Sequence, residues 1–75
     1  MQKHITEYSG GTFYGFRVAM MKRGLTFTKY FSSTKLGRDE ALRCAIECER
    51  ELSQKIAENR DNMDKLREIH AQFYS

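Results

Sequence analysis

Between Tyr14 and Met20 every even position is apolar: Tyr14, Phe16, Val18 and Met20. This alternation predicts a strand with one face buried. The odd positions Phe13, Gly15, Arg17, Ala19 and Met21 then share the opposite face. Met21-Lys22-Arg23-Gly24 reads as a turn in which Gly24 takes a positive φ. A second strand follows, with Leu25, Phe27 and Phe31 alternating against Thr26, Thr28 and Tyr30, residue types that suit a pleated surface. Lys29 falls on the side of Phe27 and marks either an edge position, where the long stem lies along apolar surface, or a bulge. A shorter strand is expected from His4 to Tyr8 with Ile5 inward, ended by Ser9-Gly10-Gly11. Three antiparallel strands in a meander leave an apolar face that needs a cover.

The second half of the chain supplies it. After a loop from Ser32 to Gly37 there is no further glycine or proline, and Asp39 and Glu40 stand where a helix N-terminus favours acids. At 100° per residue Ala41, Ala45, Cys48, Leu52 and Ile56 form one stripe. Its small residues allow the helix axis to come close to a sheet already filled by Phe16, Phe27 and Phe31. The fold class is α+β, a three-stranded antiparallel sheet packed on one helix, with an amphipathic helical C-terminal extension.

That extension continues the stripe through Asn59, Met63, Leu66, His70 and Phe73. A strand of about eight residues spans roughly 27 Å, which about 18 helical residues cover, so the sheet is used up near Ile56. Met63, Leu66, Ile69 and Phe73 can be buried by a break near Asn59 to Asn62 with a folded-back helix, for which Asp61 is an N-cap candidate. The other route is pairing with a second copy in a homodimer, and a frayed tail is the third alternative. The expected division is a sheet-plus-helix unit over 1–58 and a helical tail over 59–75.

Seventy-five residues and 8.8 kDa allow one domain and a small core, too little for a multi-step enzyme pocket. The net charge of +3 hides a division: residues 1–38 carry seven Lys and Arg against Glu7 alone, whereas residues 39–75 carry six basic and nine acidic side chains. A front half at +6 suggests a surface that faces a polyanion. The longest apolar run, Val18 to Met21, is far below a membrane span, and no basic-then-apolar leader opens the chain, so a cytoplasmic protein without membrane contact is expected.

The run from Gly15 to about Ile56 contains Gly-Phe-Arg-Val, a basic turn, Lys-Tyr-Phe-Ser, a short loop, and Glu-Ala-Leu opening an alanine-rich helix. In this order of elements it resembles the integrase-type, ethylene-response-factor (Apetala-type) DNA-binding domain in its stand-alone microbial or phage form. The resemblance covers a little over half of the chain. It implies double-stranded DNA as partner, bound in the major groove by the exposed sheet face, in a transcriptional regulator or mobile-element accessory protein. Position by position it implies base contacts from Arg17, with Ala19 beside it, and from Thr28 and Tyr30, Tyr30 standing where plant members tend to carry tryptophan; Thr26 lies on the same face. Lys22, Arg23 and Lys35 would hold phosphates. The chain departs from the plant pattern on its first strand, where it offers His4, Thr6 and Glu7 in place of arginines, and it lacks an HNH nuclease motif.

Other chemistry is thin. Cys44 and Cys48 are four apart on a helix, with only His4 and His70 elsewhere, so they read as packing residues and not as ligands, and no metal or cofactor is expected. Gly10-Gly11 lacks the Gly-Lys-Ser or Gly-Lys-Thr that a phosphate loop needs. Glu47 and Glu51 are spaced to pair with Arg43, Arg50 and Lys55 on an outer helix face, and no nucleophile, base and pocket come together for catalysis. The alternative to DNA binding is a protein-interaction module that uses the amphipathic C-terminal helix.

Overall fold

The computed structural model describes residues 4–73. Three strands, β1 (Ile5–Gly10), β2 (Phe13–Lys22) and β3 (Leu25–Ser32), form one antiparallel sheet in the order β1-β2-β3. They are followed by a single helical turn, α1 (Ser33–Leu36), and two helices, α2 (Arg38–Glu58) and α3 (Met63–Phe73). Lys3, counted in the basic front half, lies outside the described residues. No helix among the described residues is long and apolar enough to cross a membrane.

The expected alternation holds along both long strands. Phe16, Val18 and Met20 on β2 and Phe27 on β3 are buried beneath the helices, together with Ile5 from β1. Tyr14 shares their parity but is exposed, because it lies near the β1–β2 end of the sheet. The β2–β3 register runs unbroken from Gly15↔Ser32 to Lys22↔Leu25, so no bulge occurs at Lys29. Lys29 takes the edge-strand solution: it stays exposed and holds its Nζ 5.4 Å from the Phe73 ring centroid.

The β2–β3 connection is a two-residue turn in which both Arg23 (φ 49°) and Gly24 (φ 80°) are left-handed. Two positive φ values match the right-handed twist of the flanking strands. Glycine adopts that conformation freely; the arginine is held in it by side-chain bonds described below.

Where a plain loop was expected from Ser32 to Gly37, the chain makes the turn α1. Ser32 Oγ accepts from the Lys35 amide at 3.3 Å, and the Gly37 amide closes onto Ser33 O at 2.8 Å. Gly37, at φ 84°, then redirects the chain into α2. Ala41 and Ala45 are fully buried against the sheet, followed by Leu52 and Ile56. Cys48 is only partly buried at the flank of this stripe.

The tail takes the folded-back alternative. Helix α2 stops at Glu58, the Asn59 amide bonds Ile56 O, and the Asn62 amide bonds Asn59 O. The cap of α3 is Asn62, not Asp61: Asn62 Oδ1 accepts from the Lys65 amide at 3.1 Å, while Asp61 points to Arg23. Helix α3 packs on β3, with Leu66 0% exposed and His70 and Phe73 edge-on to the Phe27 ring at 5.1 and 5.8 Å. His70 Nε2 also lies 2.9 Å from Thr26 O. Met63, Leu66, Ile69 and Phe73, the proposed seam of a homodimer, are therefore used within the chain: Leu66 and Ile69 belong to the core, and Met63 and Phe73 pack against it. One core runs across the boundary at residue 58.

Candidate nucleic-acid interface

The helices occupy one face of the sheet, which leaves the residues of opposite parity on the other. Register places them in rows. Arg17 on β2 lies between Thr6 on β1 and Tyr30 on β3; Ala19 faces Thr28; Met21 faces Thr26. Toward the β1–β2 turn, Gly15 lies between Tyr8 and Ser32, and Gly10 faces Phe13. Among the described residues this face carries no carboxylate. Glu7 shares the parity of Ile5 and so belongs to the helix side.

Glu7 has its own partners. It receives Arg38 Nε at 3.1 Å and Arg38 Nη2 at 3.4 Å, and Tyr14 Oη donates to it at 2.9 Å. These bonds to Arg38 and then Tyr14 hold the Glu7 carboxyl below its ordinary range, and the same contact raises Arg38. The Arg38 guanidinium also lies 5.5 Å from the Phe16 ring.

Arg17 stands at the centre of the outward face. Its residue is half-buried, and its Nε is shielded from solvent with no acceptor in the described protein. Thr26 and Tyr30 are exposed, and Ala19 and Thr28 are half-buried beside Arg17. The four expected base-reading positions and Thr26 therefore share one surface.

The three expected phosphate contacts do not share it. Lys22 has the parity of Met20 and sits at the rim of a depression of about 310 Å³ on the helix side, bordered by Met20, Ile56 and Arg60. Lys35 is exposed on α1, at the opposite end of the sheet from the β2–β3 turn. Arg23 is engaged internally: its Nε donates to Arg60 O at 2.7 Å and its Nη2 to Asp61 Oδ1 at 3.2 Å. The cations thus flank the two ends of the sheet, with Arg17 between them.

A feature that strand-by-strand reading missed is an aromatic cluster on the outward face. The Phe13 and Tyr30 rings meet edge-to-face at 5.6 Å, Tyr8 and Tyr30 at 6.1 Å, and Tyr8 and Phe13 at 5.8 Å with a 47° tilt. Parity was the available signal, since Ile5 inward makes Tyr8 outward and Tyr14 inward makes Phe13 outward. The rings surround Gly15, where a Cβ would come 2.1 Å from Phe31 O and 3.0 Å from the Phe13 ring.

On the helix side a second groove of about 410 Å³ lies between β3, α2 and α3, walled by Phe31, Leu52, Ile69 and Phe73 with Cys44 and Cys48 at one edge. Burial pushes the Cys48 thiol up, against a smaller opposite pull from Lys29, which keeps it a weak nucleophile. Outside the groove Arg43 bridges Glu40 and Glu47 along the outer face of α2. No group of three or more His, Cys, Asp and Glu among the described residues could hold a metal ion.

Comparison of the chain with protein-family models, curated proteins and solved structures returned no match.

Proposed function

We propose that the protein binds double-stranded DNA through the outward face of its sheet, as a transcriptional regulator or mobile-element accessory protein. One observation carries this reading: an arginine stands at the centre of a face of small, hydroxyl and aromatic side chains on which no described residue is acidic. Three strands at about 4.8 Å spacing are roughly 10 Å across, comparable with the major groove of about 12 Å. The sheet can therefore present its middle strand to base edges.

The residues divide by task. Arg17 forks onto guanine O6 and N7, the methyl-bearing Ala19, Thr26 and Thr28 contact thymine methyls, and the two threonines also accept and donate through their hydroxyls. Tyr30, opposite Arg17, reaches base edges or sugar through its hydroxyl. Lys22 and Lys35 at the two ends take phosphates, and the tie from Arg23 to Asp61 makes it the weaker contributor. The resemblance to the integrase-type domain points the same way. A docking role for the C-terminal helix has less support, because its apolar residues are spent on the core.

The test is a titration of random duplexes, and of duplexes selected from a random pool, at low and moderate salt. Binding should weaken steeply with salt, and each of Lys22→Ala and Lys35→Ala should flatten the log–log slope by about 0.9. Arg17→Ala should cost about 1–3 kcal/mol on a selected site and erase discrimination between sites. No binding to any duplex at low salt overturns the proposal.

A further inference from the structure

We infer that Tyr8 and Tyr30, braced by Phe13, form a subsite for one unpaired nucleobase beside Arg17, so that the preferred ligand is a duplex carrying a bulged or flipped-out base. The inference rests on the DNA-binding reading above and adds a substrate class to it.

The cluster has more aromatic surface than its structural task requires. Gly15 is buried and has no room for a Cβ, which would meet Phe31 O at 2.1 Å, and the half-buried Phe13 ring packs over it. Tyr8 and Tyr30 remain 42% and 51% exposed. None of the three ring pairs is stacked; all are tilted or edge-to-face, so no ring has its face covered by a parallel neighbour. Flat π surface of this kind binds another flat π system best.

Charge narrows the partner. The outward face presents Arg17 and no described carboxylate, which favours a ligand rich in acceptors and negative charge over a cationic or acid-seeking one. A paired base offers only its edge in the groove and cannot lie on a ring, whereas an unpaired base offers its full face. Tyr30 is directly across from Arg17, and Tyr8 is one row further, opposite Gly15, about 7 Å along the strand. That distance is about two stacked base steps. The unpaired base is therefore placed within about two steps of the guanine that Arg17 reads.

The probe is a DNA hairpin containing a selected site, prepared fully paired or with a single bulged 2-aminopurine two steps from the preferred guanine. The bulged form should bind roughly ten-fold more tightly, with its fluorescence quenched on binding. Tyr8→Leu keeps an apolar side chain at the cluster and removes the ring; it should abolish the preference and the quenching while the paired hairpin binds as before. Equal affinity for the two hairpins, or a preference that survives Tyr8→Leu, overturns this inference and leaves the duplex reading intact. Failure of both hairpins to bind overturns the duplex reading and this inference with it.

Discussion

Arg23 and Asp61 are 38 residues apart in the chain and 3.2 Å apart in the fold. With the bond from Arg23 Nε to Arg60 O, this contact fastens the β2–β3 turn to the α2–α3 connection, so the piece of chain that fixes the sheet's twist also fixes where α3 begins. The ion pair itself is exposed and contributes little, about 0–1 kcal/mol, whereas a charged donor on a carbonyl contributes about 1.5–3 kcal/mol. Arg23→Asn should therefore destabilise by about 1–2 kcal/mol even though asparagine accepts the positive φ more readily, and Asp61→Ala should cost less than 1 kcal/mol. Denaturant titrations of the two variants check the order; a larger loss from Asp61→Ala would show that the carboxylate, not the carbonyl, holds the turn.

Gly15 gives the sharpest steric test of the sheet. A Cβ there would sit 2.1 Å from the carbonyl oxygen of Phe31, a backbone atom that cannot move without breaking the β2–β3 ladder. Gly15→Ala should cost about 3 kcal/mol or more, well beyond the roughly 1 kcal/mol of an average substitution. Gly24, at φ 80° with open space around it, should lose less on substitution by alanine, since only its backbone conformation is strained. Thermal melts of the two variants should rank in that order.

Acid should loosen the junction of β1, β2 and α2. The Glu7 carboxyl is held below its ordinary value of 4.5, first by Arg38 and then by Tyr14. A depressed folded value means that the unfolded chain binds the proton first, so the stabilisation is fully present above the unfolded value and is lost as pH falls through the folded one. Glu7→Gln removes this dependence. Melting temperatures recorded from neutral pH downward should fall less steeply for Glu7→Gln than for the parent below about pH 4.5; identical slopes would mean that Arg38 and Tyr14 do not favour the ionised form.

Much of this architecture is legible in single-strand and single-helix patterns, because burial of one face imposes a period that survives in the order of residues. Phe16, Val18 and Met20 announce β2, and Ala41, Ala45, Leu52 and Ile56 announce the close-packed side of α2. What depends on two segments at once is less legible. Tyr8, Phe13 and Tyr30 come from three strands, and only the register brings their rings together. Glu7 stands on β1 where the plant pattern has arginines, and only the fold brings Arg38, 31 residues on, beside it. Asp61 and Asn62 are both good capping residues; Asn62 caps α3 while Asp61 meets Arg23, a choice made by a turn 38 residues away. The basic front half likewise spreads to both ends and both sides of the sheet, which a charge count cannot reveal.

The fate of α3 decides whether residues 4–58 form a stable unit alone. A chain cut after Glu58 would lose Leu66 and Ile69 from the core and expose the Phe27 ring, now met edge-on by His70 and Phe73. Each fully buried aliphatic or aromatic side chain contributes about 1.5–3 kcal/mol, and a domain of this size has a total stability not far above that of two or three such residues. The truncated chain should therefore lose its cooperative transition, and Leu66→Ala in the full chain should cost about 2–5 kcal/mol. The 75-residue chain should show amide protection in α3 at concentrations where it sediments as a monomer, since Leu66 is buried without a second copy. If protection of α3 instead appears only as the protein dimerises, the helix is held by a partner, and the intrachain packing of Leu66 and Ile69 is not what stabilises it.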